Sequence, residues 1–118
     1  MTESKLDLYI WQHRFVNEQD QIISRTCFGI TGNRSRRQNH YEGHVGHTIK
    51  FVRVWTGPSR LIRQIEERIK NDFHDYLVVG HKNYRYEWIN EEIDLETVIN
   101  YVQWEIEQLD GIVAVENP

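Results

Sequence analysis

Two β-forming stretches separated by four polar residues constrain this chain more than any other feature. Residues 6–15 carry Leu6, Leu8, Tyr9, Ile10 and Trp11, and residues 21–30 carry Ile22, Ile23, Cys27, Phe28 and Ile30. Asn17, Glu18, Gln19 and Asp20 lie between them, and a short polar connection between two strand-like runs predicts a β-hairpin. Immediately after the hairpin, Thr31-Gly32-Asn33 breaks the pattern, and Asn33 is a residue type that caps helices. The spacing predicts a short helix from there to about Glu42, stopped by Gly43.

Residues 48–55 read as a third strand. Gly57-Pro58-Ser59 opens a helix whose Leu61, Ile62, Ile65, Ile69 and Phe73 form one apolar stripe. Residues 76–80 are short and ambiguous, and residues 85–89 read as an edge strand or a tight loop. Asp94 caps a last helix, about 94–110, with Leu95, Val98, Ile99, Val102, Ile106 and Leu109 on one side; residues 112–118 read as a tail. The order predicts an α+β domain, with a small three-stranded mixed or antiparallel sheet flanked by helices. At 118 residues, without a repeat or a linker, the chain is one domain.

Charge is unevenly distributed. Between Asn33 and Arg53 there are five Lys or Arg against the single acid Glu42, whereas residues 91–118 hold eight acids and no Lys or Arg. A net charge of -4 therefore conceals one basic region able to attract phosphate. The lone Cys27 excludes an intramolecular disulfide and a cysteine zinc cage. No apolar run approaches the roughly 18 residues of a membrane span, and the first residues lack a signal-like apolar stretch, so a cytoplasmic location is expected.

The residues suited to chemistry fall in a suggestive order. Tyr9 lies on the first strand, Gly29 and Thr31 end the second, and Arg37 and Tyr41 share a helix face at i and i+4. Glu66 borders the apolar stripe of the next long helix. An arginine, two phenols and a carboxylate suit phosphodiester hydrolysis: the arginine stabilises charge on phosphorus, the carboxylate holds a divalent cation, and a phenol or imidazole handles the water proton. His40, His44 and His47, spaced four and three apart around Gly43 and Gly46, are more simply phosphate or base contacts than a zinc site. Tyr84, Tyr86 and Trp88 read as edge-strand packing before base stacking.

Over residues 6–90 the chain resembles the GIY-YIG nuclease family. Asp7-Leu8-Tyr9 sits at the first family triplet and Cys27-Phe28-Gly29 at the second, with Cys27 in place of its tyrosine. Residues 30–37 are similar to the family's Lys-Thr run that ends in arginine, here Arg37; Tyr41 stands where members carry His or Tyr, and Glu66 where they carry a metal-binding glutamate.

The resemblance implies a DNA endonuclease or nickase using one Mg²⁺ or Mn²⁺. Glu66 would hold the metal, Arg37 would neutralise the phosphorane, and Tyr9, with Tyr41 or His40, would handle the water. Arg34, Arg36, Lys50 and His44 would bind flanking phosphates of double-stranded DNA. Such a small nuclease resembles those of phages or mobile elements, acting in a host cytoplasm as a homodimer or with a targeting partner protein. Two alternatives follow from the residues: a binding module on the same scaffold that has lost its chemistry with the Cys27 replacement, and a protein-interaction module using the acidic C-terminal helix.

Overall fold

A computed structural model describes residues 4–78 and 87–118. Its first two strands, β1 (Lys5–Val16) and β2 (Ile22–Thr31), form the expected antiparallel hairpin, in register from Asp7 opposite Thr31 to Val16 opposite Ile22. Asn17 organises the turn: its side-chain oxygen accepts from the backbone N–H of Gln19 and of Gln21, both at 2.9 Å. Asp20 takes the left-handed backbone conformation that closes it, with φ 59°.

Helix α1 (Arg34–Val45) is capped by Asn33, whose side chain accepts from the Arg36 backbone N–H at 3.1 Å. The helix does not stop at Gly43. It continues a turn further and ends at Gly46, which adopts φ 79° and donates its N–H to the Glu42 carbonyl. The left-handed conformation, rather than the first glycine met along the chain, sets the terminus.

The third strand, β3, is Arg53–Pro58, later than the sequence suggests. The chain before it is tied down instead of paired along its length. Glu42 accepts from the Ile49 backbone N–H at 2.8 Å, Gln38 donates to the Ile49 carbonyl at 3.0 Å, and Ile49 and Phe51 are buried. Helix α2 (Ser59–Asp72) follows directly, then a 3₁₀ turn (His74–Tyr76), β4 (Glu87–Ile89), α3 (Leu95–Glu107) and β5 (Val113–Ala114). Asp94 caps α3 as expected, accepting from the Thr97 N–H at 2.8 Å.

Among the described residues the architecture is α+β, with three helices on a five-stranded sheet of order β4-β2-β1-β3-β5 in which every pairing is antiparallel. The expected three-stranded sheet is thus an undercount. Its three strands form the centre, and short strands from residues read as ambiguous or as a tail extend both edges. Two or three residues carry too little periodicity to announce a strand; pairing with an existing edge creates it. Residues 84 and 86 of the expected aromatic cluster lie outside the described residues. Trp88 packs against Trp11 with ring centroids 5.3 Å apart.

Side chains alternate across the sheet, so the central strands divide into two faces. Leu8, Ile10, Phe28 and Trp55 point toward α2 and α3, where Ile62, Ile65, Ile69, Val98 and Val102 complete an aliphatic core. Tyr9, Trp11, Cys27 and Val54 point the other way and are covered by Tyr41 of α1 together with Ile49 and Phe51. Among the described residues no helix is long and apolar enough to cross a membrane.

Candidate phosphate-binding site

The α1 face carries a buried polar network that strand alternation and the helix spacing assemble. The Tyr9 and Tyr41 hydroxyls lie 2.6 Å apart, and Tyr41 Oη is 3.3 Å from Cys27 Sγ. Arg37 donates from Nη1 to Tyr9 Oη at 3.0 Å, so the i and i+4 pair on α1 grips the phenol from above. A chain of hydrogen bonds links Arg37, Tyr9, Tyr41 and Cys27, and bonds in such a chain strengthen one another in a low-dielectric interior.

Tyr9, Tyr41 and Cys27 are each 0% exposed. Burial raises both phenols above their ordinary range, the neighbouring thiol adding to the effect, and pushes the Cys27 thiol up to about 12. All three stay protonated at neutral pH. They are closed off from solvent, and the Tyr9 hydroxyl accepts the Arg37 hydrogen bond.

Gly29 makes the arrangement sterically possible. It lies opposite Tyr9 in the β1–β2 register, and a Cβ added there would stand 2.3 Å from Tyr9 Oη. The phenol therefore lies over a glycine because any other residue would occupy its space.

Arg37 is part-buried, and beside it opens a cleft of about 300 Å³ lined by Thr31, Gly32, Asn33, Arg36, Arg37 and His40. The cleft lies at the N-terminal end of α1, whose first turn contains no acid. Backbone N–H groups at a helix start and two guanidinium groups give this rim a positive field. Glu42, the single acid of the basic segment, is turned away to bind the Ile49 N–H.

The other expected phosphate ligands are placed differently. Arg34 is ion-paired with Asp7 at 3.0 Å. Lys50 lines a separate cleft of about 680 Å³ with Phe51, Arg53 and Val115, and His44 lines another with His13 and Trp88. Tyr9, Arg37, Tyr41 and His40 are brought together around one site, whereas Glu66 lies on α2, which packs against the opposite face.

Glu66 is one of two carboxylates flanking a single ammonium. Lys70 Nζ lies 3.6 Å from Glu66 and 3.6 Å from Glu87. Burial, chiefly, raises the Glu66 carboxyl above its ordinary range, against the pull of Lys70. Two hard oxygen donors suit Mg²⁺ or Mn²⁺, which proteins hold through one or two carboxylates. Among the described residues no group of three or more His, Cys, Asp or Glu is arranged to hold a metal ion.

Two contributors were not evident from sequence motifs. Asp7 appears there only as the first residue of a triplet, yet it pairs with Arg34 at 3.0 Å. Cys27 is a hydrogen-bond partner of Tyr41, which its position opposite Trp11 on the same face could have suggested. No family model, curated protein or solved structure matches this chain.

Proposed function

We propose that this chain is a GIY-YIG-like module that binds DNA through its phosphate backbone, with Arg36, Arg37 and His40 as the contact residues. The observation that carries this reading is the cationic cleft at the start of α1, in which Arg37 is fixed by the buried Tyr9 hydroxyl. A guanidinium held in place loses less side-chain entropy on meeting a phosphate oxygen, and its planar donors suit that partner. Tyr9 and Tyr41 are positioning residues in this reading. The chain order β1-β2-α1-β3-α2, with β1 central between β2 and β3, supports the GIY-YIG resemblance at the level of architecture.

Fluorescence anisotropy with a labelled duplex at 50 and 200 mM salt tests the proposal. Affinity should fall steeply with salt, and Arg36→Ala with Arg37→Ala should remove most of it. Failure of the unaltered protein to bind at low salt overturns it.

A second reading, metal-dependent phosphodiester cleavage, draws on the two carboxylates that share Lys70. Glu66, with Glu87, would hold Mg²⁺ or Mn²⁺ on the α2 face, so a strand held at Arg37 would have to pass round the sheet edge for the cation to stabilise charge on one of its phosphates. Incubation with supercoiled plasmid in Mg²⁺, Mn²⁺ or EDTA tests this. Nicking that requires metal and is lost in both Arg37→Ala and Glu66→Ala supports an endonuclease, and binding without nicking leaves a DNA-binding module.

A further inference from the structure

A second cleft on the α1 face has different chemistry. It has a volume of about 210 Å³ and is lined by His13, Phe15, Arg25, His44, Val45 and Trp88. The rings are arranged as a wall. His13 stacks on Phe15 (centroids 5.3 Å apart, planes 20° apart) and on His47 (6.0 Å, 15°), and Trp88 meets His13 edge-on at 5.7 Å. The Arg25 guanidinium lies 5.0 Å above the Phe15 ring.

This cleft is not a second anion site. Arg25 is already neutralised by Glu91 at 2.9 Å. Burial, with the adjacent His47, His44 and Arg25, lowers His13 below its ordinary imidazole range, and its Nδ1 is buried without a hydrogen-bond partner among the described residues. A cleft lined by aromatic and imidazole rings with little net charge complements a flat, neutral, polarisable ring. The volume lies below that of drug-sized pockets, so it suits a single heterocycle and not a whole nucleotide.

Position supplies the rest of the argument. His13 is four residues beyond Tyr9 on β1 and on the same face, on the order of 13 Å away at the rise of a strand. One strand of nucleic acid could therefore occupy both clefts.

We propose that the His13–Phe15–Trp88 cleft is a nucleobase subsite, stacking one unpaired base of a strand whose phosphate is held at Arg36 and Arg37. The inference rests on the DNA-binding reading above. It adds that the chain prefers a strand with an unpaired or extruded base to a fully paired duplex.

The test compares two single-stranded oligonucleotides of equal length, one of thymidines and one of abasic residues, with unaltered protein, His13→Ala and Arg36→Ala. Base stacking of this kind should make the thymidine strand about ten-fold tighter. His13→Ala should close that gap, whereas Arg36→Ala should weaken both strands equally. Equal affinity for the two strands, or a gap that survives His13→Ala, overturns the base subsite and leaves phosphate binding standing. Absence of binding to either strand overturns the base subsite, and the labelled duplex at low salt decides the DNA-binding reading separately.

A second measurement needs no substitution. A 2-aminopurine walked along the thymidine strand should be quenched at one position when protein is added. Unchanged fluorescence at every position overturns the subsite even if His13→Ala fails to fold.

Discussion

The two faces of the sheet are built from different materials. Under α2 and α3, Leu8, Ile10, Ile62, Ile65, Ile69 and Val102 meet with 0% exposure and no polar atom in their side chains. Under α1, the equally buried positions are Tyr9, Trp11, Cys27 and Tyr41, and three of these share hydrogen bonds with one another. An aliphatic face stabilises by removing area from water and tolerates shifts in direction. A hydroxyl network costs more to bury and is worth having only when each donor meets its acceptor, so it fixes direction. Here the direction it fixes is that of Arg37, the residue that links buried structure to the solvent-facing cleft.

The largest test of this contrast is Ile65→Ala. Ile65 is 0% exposed in the α2 stripe, and truncation there should cost about 2–5 kcal/mol in urea unfolding. The loss should be global, while the folded fraction keeps its DNA affinity. A variant that stays stable yet loses affinity would show that the aliphatic face also orients the site.

Gly29→Ala should come next, at about 1–3 kcal/mol, because the new methyl collides with the Tyr9 hydroxyl and not with a flexible chain end. Unlike Ile65→Ala, it should weaken DNA binding in the folded protein, since Tyr9 cannot shift without releasing Arg37. Gly43→Ala is the control: nothing lies within 4 Å of its added Cβ, and the helical position should gain about 0.4–1 kcal/mol.

The contrast between faces also explains what was legible in the sequence. The stripes of α2 and α3 repeat at helical spacing, so Leu61, Ile62, Ile65 and Ile69, and Val98, Val102 and Ile106, identify themselves as core. The hairpin was legible for the same reason, through long β-forming runs on either side of a polar turn. The polar network was legible only in part. Tyr9, Arg37 and Tyr41 could be grouped by order and spacing, but their burial depends on Ile49 and Phe51, which close the face as an irregular segment and not as the expected strand. Pairings between distant residues carry no local signature either. Nothing near Arg34 in the sequence announces that Asp7, 27 positions earlier, lies 3.0 Å from it. Likewise, Glu66 borders an apolar stripe, but only the packing decides which face of the sheet that stripe meets.

Alkaline pH distinguishes the faces without a substitution. The Cys27 thiol has an ordinary value of 9.0 and is pushed up to about 12 in the fold, and both buried phenols are raised as well. Their contribution to stability is fully present below the ordinary values and is lost as pH rises toward the raised ones, because the unfolded chain releases protons that the folded chain keeps. Stability should fall above about pH 9, on the order of 1 kcal/mol per pH unit for the thiol alone. Cys27→Ala should flatten this slope; a slope unchanged by that variant would mean the thiol is not ionising in the unfolded chain alone.

The smallest expected effect sharpens the boundary between site and scaffold among three neighbouring arginines. Arg34, Arg36 and Arg37 share one helix turn, but Arg34 pairs with Asp7 and Arg37 with Tyr9, whereas Arg36 is exposed and lines the cleft. A partly exposed ion pair is worth under about 1 kcal/mol, so Arg34→Ala should barely change unfolding and should leave the salt dependence of DNA binding as it was. Arg36→Ala should leave unfolding unchanged and lower the slope of log affinity against log salt by about one, the signature of one phosphate contact removed. Equal loss of slope in the two variants would mean that Arg34 abandons Asp7 for phosphate. The strand-borne carboxylate would then act as a competitor for the nucleic acid, not as a fixed anchor of α1.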